Sequence, residues 1–136
     1  MSALMRRASS ATPLSHSALS IAIIDLVAEY TLRHVFSNHS KKSIEVVYSF
    51  PVPLDAAFLG LTATLAGQTL QARIELKAKA EHDYDDAIAE GHSAVLLSAP
   101  EPGLLCVNLG NLKPKEEGEI VLRFATSLRV ADGCAR

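Results

Sequence analysis

Tryptophan is absent from this 136-residue chain, and aromatics of every kind reach only 5%. Platforms that stack nucleic-acid bases are built from aromatic side chains, so that mode of binding is not expected. A dominant charge is lacking as well. Thirteen Lys and Arg stand against fifteen Asp and Glu, for a formal charge of -2. The basic residues are scattered, whereas gripping a phosphate backbone by counterion release needs them clustered. No nucleic-acid partner is expected. Cysteine is scarce: Cys106 and Cys134 are too few for a disulfide framework and form no C-x-x-C pair. Cys106, in an apolar run, reads as a small core residue, and Cys134 as a free thiol. Long apolar runs are missing too. The longest, residues 21–27, is broken by Asp25, whereas a membrane-crossing helix needs about 20 apolar residues. The Ser/Ala-rich start, with Arg6 and Arg7, has no continuous apolar segment of the kind a secretory signal requires. No membrane insertion is expected. The default compartment is cytoplasmic, with a secreted or envelope-associated parent protein left open.

What is present is alternation. Residues 1–19, with Pro13 and repeated Ser, carry no apolar period and are expected as a flexible lead-in to a domain over 20–136. From Ser20 the period is two. Ala22, Ile24, Leu26, Ala28, Tyr30, Leu32 and Phe36 fall on one face, and Asp25, Glu29, Thr31 and Arg33 on the other. That is the pattern of a long half-buried strand, bent near Ala28. His34 shares the apolar phase and is expected at the core margin. After a polar turn at 37–42, Ile44, Val46, Tyr48 and Phe50 alternate again, which predicts a hairpin with the first strand. Pro51 and Pro53 end that run, since proline cannot donate to a ladder. Residues 58–65 and 69–76 form a second predicted hairpin around Ala66-Gly67-Gln68.

The period then changes. Ala80, Tyr84, Ala87 and Ile88 make one helical stripe over about residues 80–90, with acids crowding its first half and Gly91 as a stop. Strands are expected again at 93–98, 104–109 and 120–130, with a long polar connection over 110–118. Seven or so strands joined by short turns predict a mostly-β fold, an antiparallel β-sandwich with one docked α-helix.

The chain offers little for chemistry. G-x-S-x-G, G-x-G-x-x-G, a P-loop, H-E-x-x-H and D-x-S-x-S are all missing. His82, Asp86 and Glu90 recur at i, i+4 and i+8 and are weak metal candidates; the alternative is a solvated acidic helix face. His16, His39 and His92 fall in predicted loops. Gly110-Asn111 reads structurally, because both residues tolerate left-handed backbone. No catalytic residue, cofactor site or enzyme activity is expected.

Three segments together resemble the vault protein inter-alpha-trypsin (VIT) domain. Residues 44–53, which carry Tyr48, Phe50, Pro51 and Pro53, look like the family's strand running into an F-P-x-P stop. Ala80, Tyr84, Ala87 and Gly91 match A-x-x-x-Y-x-x-A-x-x-x-G. Gly110, Asn111, Leu112 and Pro114 match G-N-L-x-P, although Lys115-Glu116-Glu117-Gly118 replaces the shorter P-G-E-like turn more usual there. The resemblance covers about residues 22–130. It implies a β-sandwich that precedes a von Willebrand factor A domain, in secreted inter-alpha-trypsin inhibitor heavy chains among others. It implies a protein–protein interaction or scaffolding module, with a domain that merely orients its neighbour as the alternative and a weak metal or hydrolytic site on the helix as the third. Members usually continue with a further extended segment, so the chain is expected to be a piece of a longer protein. Its partners would be other proteins or that downstream A domain. An unpaired sheet edge would also invite a homodimer.

Overall fold

The computed structural model describes residues 13–71, 77–92 and 94–135. Ten strands and one helix follow in order. They are β1 (Leu14–Ile24), β2 (Val27–Ser37), β3 (Ile44–Pro51), β4 (Ala57–Leu65), β5 (Gln68–Gln71), α1 (Lys77–Ala89), β6 (Ala94–Glu101), β7 (Leu104–Leu112), β8 (Glu117–Ser127), β9 (Val130–Ala131) and β10 (Cys134–Ala135). Every pairing is antiparallel. A five-stranded sheet runs β1-β2-β8-β4-β5, a three-stranded sheet runs β3-β7-β6, and β9 and β10 form a separate hairpin.

The two larger sheets make a sandwich because each strand alternates apolar and polar residues, so that each sheet has one face to bury. Phe36, Leu61, Ala63, Leu65, Ile120, Leu122 and Phe124 come from the five-stranded sheet; Val46, Phe50, Val107, Leu109 and Leu112 meet them from the three-stranded one. The opposite face of the large sheet mixes ion pairs with apolar residues such as Ile24 and Val27. There Arg33 donates to Glu119 at 2.9 Å and Arg123 to Glu29. Exposed pairs of this kind contribute about 0–1 kcal/mol each.

Four expectations need correction. Residues 14–19, expected as lead-in, form the first half of β1, and His16 therefore lies in a strand. The single long strand expected over 20–36 is a hairpin: β1 and β2 pair from Ile24↔Val27 to Leu14↔Phe36, and Asp25 turns the chain at φ 54. A two-residue turn pairs residue i with i+3, which reverses parity. Leu19, Ile21 and Ile23 thus share the inner face with Leu32, Tyr30 and Ala28, while Ala22 and Ile24 face outward. The hairpin expected between residues 20–36 and 44–50 does not form either. β2 pairs with β1 and β8 while β3 pairs with β7, so the loop between them crosses from one sheet to the other. Finally, the expected connection over 110–118 is shorter, since β7 runs through Leu112.

Asn38 organises that crossover from the inside. It is 1% exposed. Its Nδ2 donates to the carbonyls of Lys42 (2.7 Å) and Leu112 (2.8 Å), and its Oδ1 accepts from the backbone N–H and the hydroxyl of Ser40 (2.9 and 2.7 Å). Its backbone bonds Lys115 and Glu116 in the next loop. The second predicted hairpin is present as β4 and β5, joined by Ala66 (φ 50) and Gly67 (φ 76), the positive pair of a type I′ turn. Residues 72–76 of its expected second arm lie outside the described residues.

Candidate functional site: the docked helix and the uncovered hairpin

Helix α1 starts three residues before the expected stripe, and its first turn contains no acid. The acids therefore lie mid-helix, where the macrodipole does little for them. The stop at Gly91 is as read. Gly91, at φ 78, donates to the Ile88 carbonyl (3.0 Å), and His92 donates to Ala87 (2.9 Å), which together form a Schellman motif.

The helix sits on the outer face of the three-stranded sheet. Tyr84 is its buried anchor, and its hydroxyl donates to Glu45 Oε1 on β3 at 2.6 Å. The Asn108 amide on β7 donates to the same oxygen at 3.4 Å. Burial first, and then the Glu45 carboxylate, push the Tyr84 phenol far above its ordinary value. The hydroxyl is a fixed donor, not an acid for catalysis. Beneath the helix lies Gly110. A Cβ there would stand 1.9 Å from Ile88 Cδ1 and 2.9 Å from the Tyr84 hydroxyl, so only glycine admits the helix this close. Next along, Asn111 takes φ 55, and its amide donates to the Ile88 and His92 carbonyls at 3.1 and 2.9 Å, capping the helix end from the sheet. Leu112 is fully in the core. Pro114 occupies a turn closed by the Glu116 N–H to Lys113 carbonyl bond (3.0 Å), with Lys115 at φ 64. That is the position of a type II turn where glycine is favoured.

The helical and G-N-L-x-P motif residues are thus brought together, while those of the first motif lie apart on β3 and the turn after it. Tyr48 packs among His34, Phe36 and Phe50. Pro51 is the last paired residue of β3, and the Pro53 carbonyl accepts from Ala56 in the turn that follows. Ala87 is half-buried. The Ala80 side chain lies outside the described residues.

The weak metal candidates separate into two pairs. His82 Nε2 lies 3.1 Å from Asp86 on the exposed helix face, while Glu90 meets His92 at 3.5 Å. Among the described residues no group of three or more His, Cys, Asp or Glu could hold a metal ion. No described helix is long and apolar enough to cross a membrane. Cys106 is half-buried, accepting from the Ser49 hydroxyl at 3.4 Å, and Cys134 is an exposed free thiol.

His34 is deeper than the core margin expected for it. It is 5% exposed, its ring centroid lies 4.8 Å from that of Tyr48, and neither ring nitrogen has a hydrogen-bond partner. Burial lowers its pKa below the ordinary 6.5. The uncovered surface is elsewhere. Leu19, Ile21, Ile23, Ile24, Leu26 and Val27, all on the β1–β2 hairpin, are each about half exposed or more. Sequence reasoning missed this surface, because an unbroken period of two hid the turn at Asp25.

A mostly-β sandwich with a helix pinned by a sheet glycine and asparagine is the class of domain that the described residues define. The sequence profile of the vault protein inter-alpha-trypsin domain matches residues 14–124, and the chain belongs to that family. It is 33% identical over 118 residues to human protein mono-ADP-ribosyltransferase PARP4, covering 87% of this chain and 7% of that protein. It is 30% identical over 127 residues to the von Willebrand factor A domain-containing protein 5A of rat and of human, covering 91% of this chain and 16% of each. The chain therefore spans no more than about a sixth of the length of these relatives.

Proposed function

We propose that this domain is a non-catalytic protein-interaction module that serves a larger protein. The observation that carries the reading is the apolar surface of the β1–β2 hairpin. Contiguous apolar patches of more than a few hundred Å² mark interaction sites on otherwise polar proteins. Polar groups gathered around the helix and the crossover are engaged in holding them. Glu45, Tyr84, Asn108 and Asn111 hold the helix, and Asn38 holds the crossover. Relatives named for a von Willebrand factor A domain support a neighbouring A domain or another protein as the partner. The enzymatic name of PARP4 belongs to a protein of which this match covers 7%.

The test compares proteins captured by the intact chain with those captured by a variant carrying Ile23→Glu and Leu26→Glu. A partner set retained by the first and lost by the second, with both equally folded by circular dichroism, supports the reading. Identical sets refute the hairpin as the surface. Clean negatives for both, an isolated A domain included, favour a domain that only orients its neighbour.

A further inference from the structure

The inner face of the large sheet continues past the small sheet that covers it. One cross-strand row runs Leu61, Leu122, Leu32, Leu19, and the next runs Phe58, Phe124, Tyr30, Ile21. Leu61 and Leu122 are 4% and 1% exposed, yet Leu19, Ile21 and Ile23 at the other end are 55%, 51% and 63% exposed. Five strands face three, which leaves two over, and β1 is the outermost strand on the hairpin side.

Past the irregularity between Leu14 and His16, β1 is also an unguarded edge. Among the described residues no strand pairs with its outer side. Sheet edges are normally blunted by charge, proline, bulges or short length. The edges of the small sheet have such devices: β3 carries Glu45 and ends on Pro51, and β6 contains Pro100 and packs against α1. Over its eleven residues, Leu-Ser-His-Ser-Ala-Leu-Ser-Ile-Ala-Ile-Ile, β1 has no Lys, Arg, Asp, Glu, Pro or Gly.

We infer that β1 pairs with β1 of a second copy of this chain, antiparallel about a two-fold axis at Ile21. This deepens the interaction reading above by naming the occupant. Side-chain parity selects the register. Centred on Ile21, Leu19 of each copy meets Ile23 of the other, and Ile21 meets itself, so six apolar side chains form one layer on the inner face. A centre at Leu19 would set Ile21 and Ile23 against Ser17 and Ser15. Pairing over residues 18–24 gives a seam about 24 Å long. It covers on the order of 300–500 Å² per copy, below the roughly 800 Å² per partner of a standard interface. The dimer is therefore concentration-dependent rather than permanent. Being isologous, it uses up both β1 edges and does not propagate.

Sedimentation velocity on the whole chain, from about 1 µM to about 500 µM, brackets the affinities open to an interface of this size. The expected result is a monomer that shifts to a dimer as concentration rises. Ser20→Lys and Ile21→Lys should stay monomeric with unchanged circular dichroism. In a Cys106→Ala, Cys134→Ala background, Ile21→Cys should crosslink to itself on mild oxidation. Antiparallel partners lie about 4.5–5.5 Å apart at Cα, within the span of a disulfide. A Leu70→Cys control on β5 should not crosslink.

Monomer throughout, dimerisation undiminished by either lysine, equal crosslinking at Leu70→Cys, or open-ended aggregation would each overturn the inference. None of these touches the partner-capture comparison, so failure of the dimer and failure of the interaction reading can be told apart.

Discussion

Between about pH 7.5 and about pH 5.5 this domain should lose stability through one buried side chain, His34. The ring lies among Tyr48, Phe36 and its cross-strand neighbour Ile120, with no partner for either nitrogen. Burial lowers its pKa below 6.5, so the folded state keeps it neutral while the unfolded chain takes up a proton as the pH drops through that value. The contribution is fully present above the unfolded pKa. It declines below it, by up to about 1.4 kcal/mol per pH unit, until the folded-state pKa is reached. His34→Phe removes the titrating group and two buried unsatisfied nitrogens, whose desolvation costs about 1–3 kcal/mol. The variant should match or exceed the parent at about pH 7.5 and lead increasingly as the pH falls. Urea unfolding followed by circular dichroism across that range measures this, provided the denaturant slope stays constant. The difference curve cancels the carboxylates common to both proteins. Parallel pH profiles for parent, His34→Phe and His34→Leu would refute the argument. So would a large loss in both variants at neutral pH, which would mean that a nitrogen has a partner.

Four substitutions test the helix dock and the loops by thermal or urea unfolding. Gly110→Ala should cost at least about 2–3 kcal/mol or undock the helix, because its methyl overlaps Ile88, and Tyr84 fluorescence should report the release. Gly91→Ala meets no atom within 4 Å and should cost only the left-handed backbone term, about 1 kcal/mol; an equal loss at the two glycines would contradict the distinction. Lys115→Gly should stabilise by a few tenths to about 1 kcal/mol, since φ 64 suits glycine. Asn38→Ala, which takes the amide donor from the Leu112 carbonyl and the acceptor from Ser40, should cost about 2 kcal/mol or more.

The sandwich and its helix were legible because alternation and a change of period are local signals. β3, β4, β8 and α1 appear close to where the pattern put them. Connectivity was less legible. Alternation says that a strand has two faces but not where it reverses, and Asp25-Leu26 is not one of the glycine-bearing pairs that announce a turn. The missed turn also hid the exposed surface. Once parity flips, Leu19, Ile21 and Ile23 fall on the inner face, and only the difference in width between the sheets shows that nothing covers them. Asn38 was invisible for another reason. In sequence it is one polar residue in a polar loop, and the one of its four side-chain hydrogen bonds that ties the loop to the core depends on Leu112 being brought alongside from 74 residues away.

Two of the three motifs that carried the family resemblance turn out to describe one contact. Tyr84, Ala87 and Gly91 set where the helix turns its anchor and where it stops; Gly110 removes the side chain that would hold it off the sheet; Asn111 caps the end that Gly91 creates. The helical and the strand motif are two halves of a dock, which explains why neither is distinctive alone. That dock occupies the outer face of the small sheet, on the far side of the sandwich from the large one. The hairpin β1–β2 lies at the uncovered edge of the other sheet and shares none of the dock's residues. The exposed end of the hairpin can therefore vary without disturbing the dock. Chains in which only residues 19–26 are exchanged for those of a relative should keep the helix docked and change only what they bind.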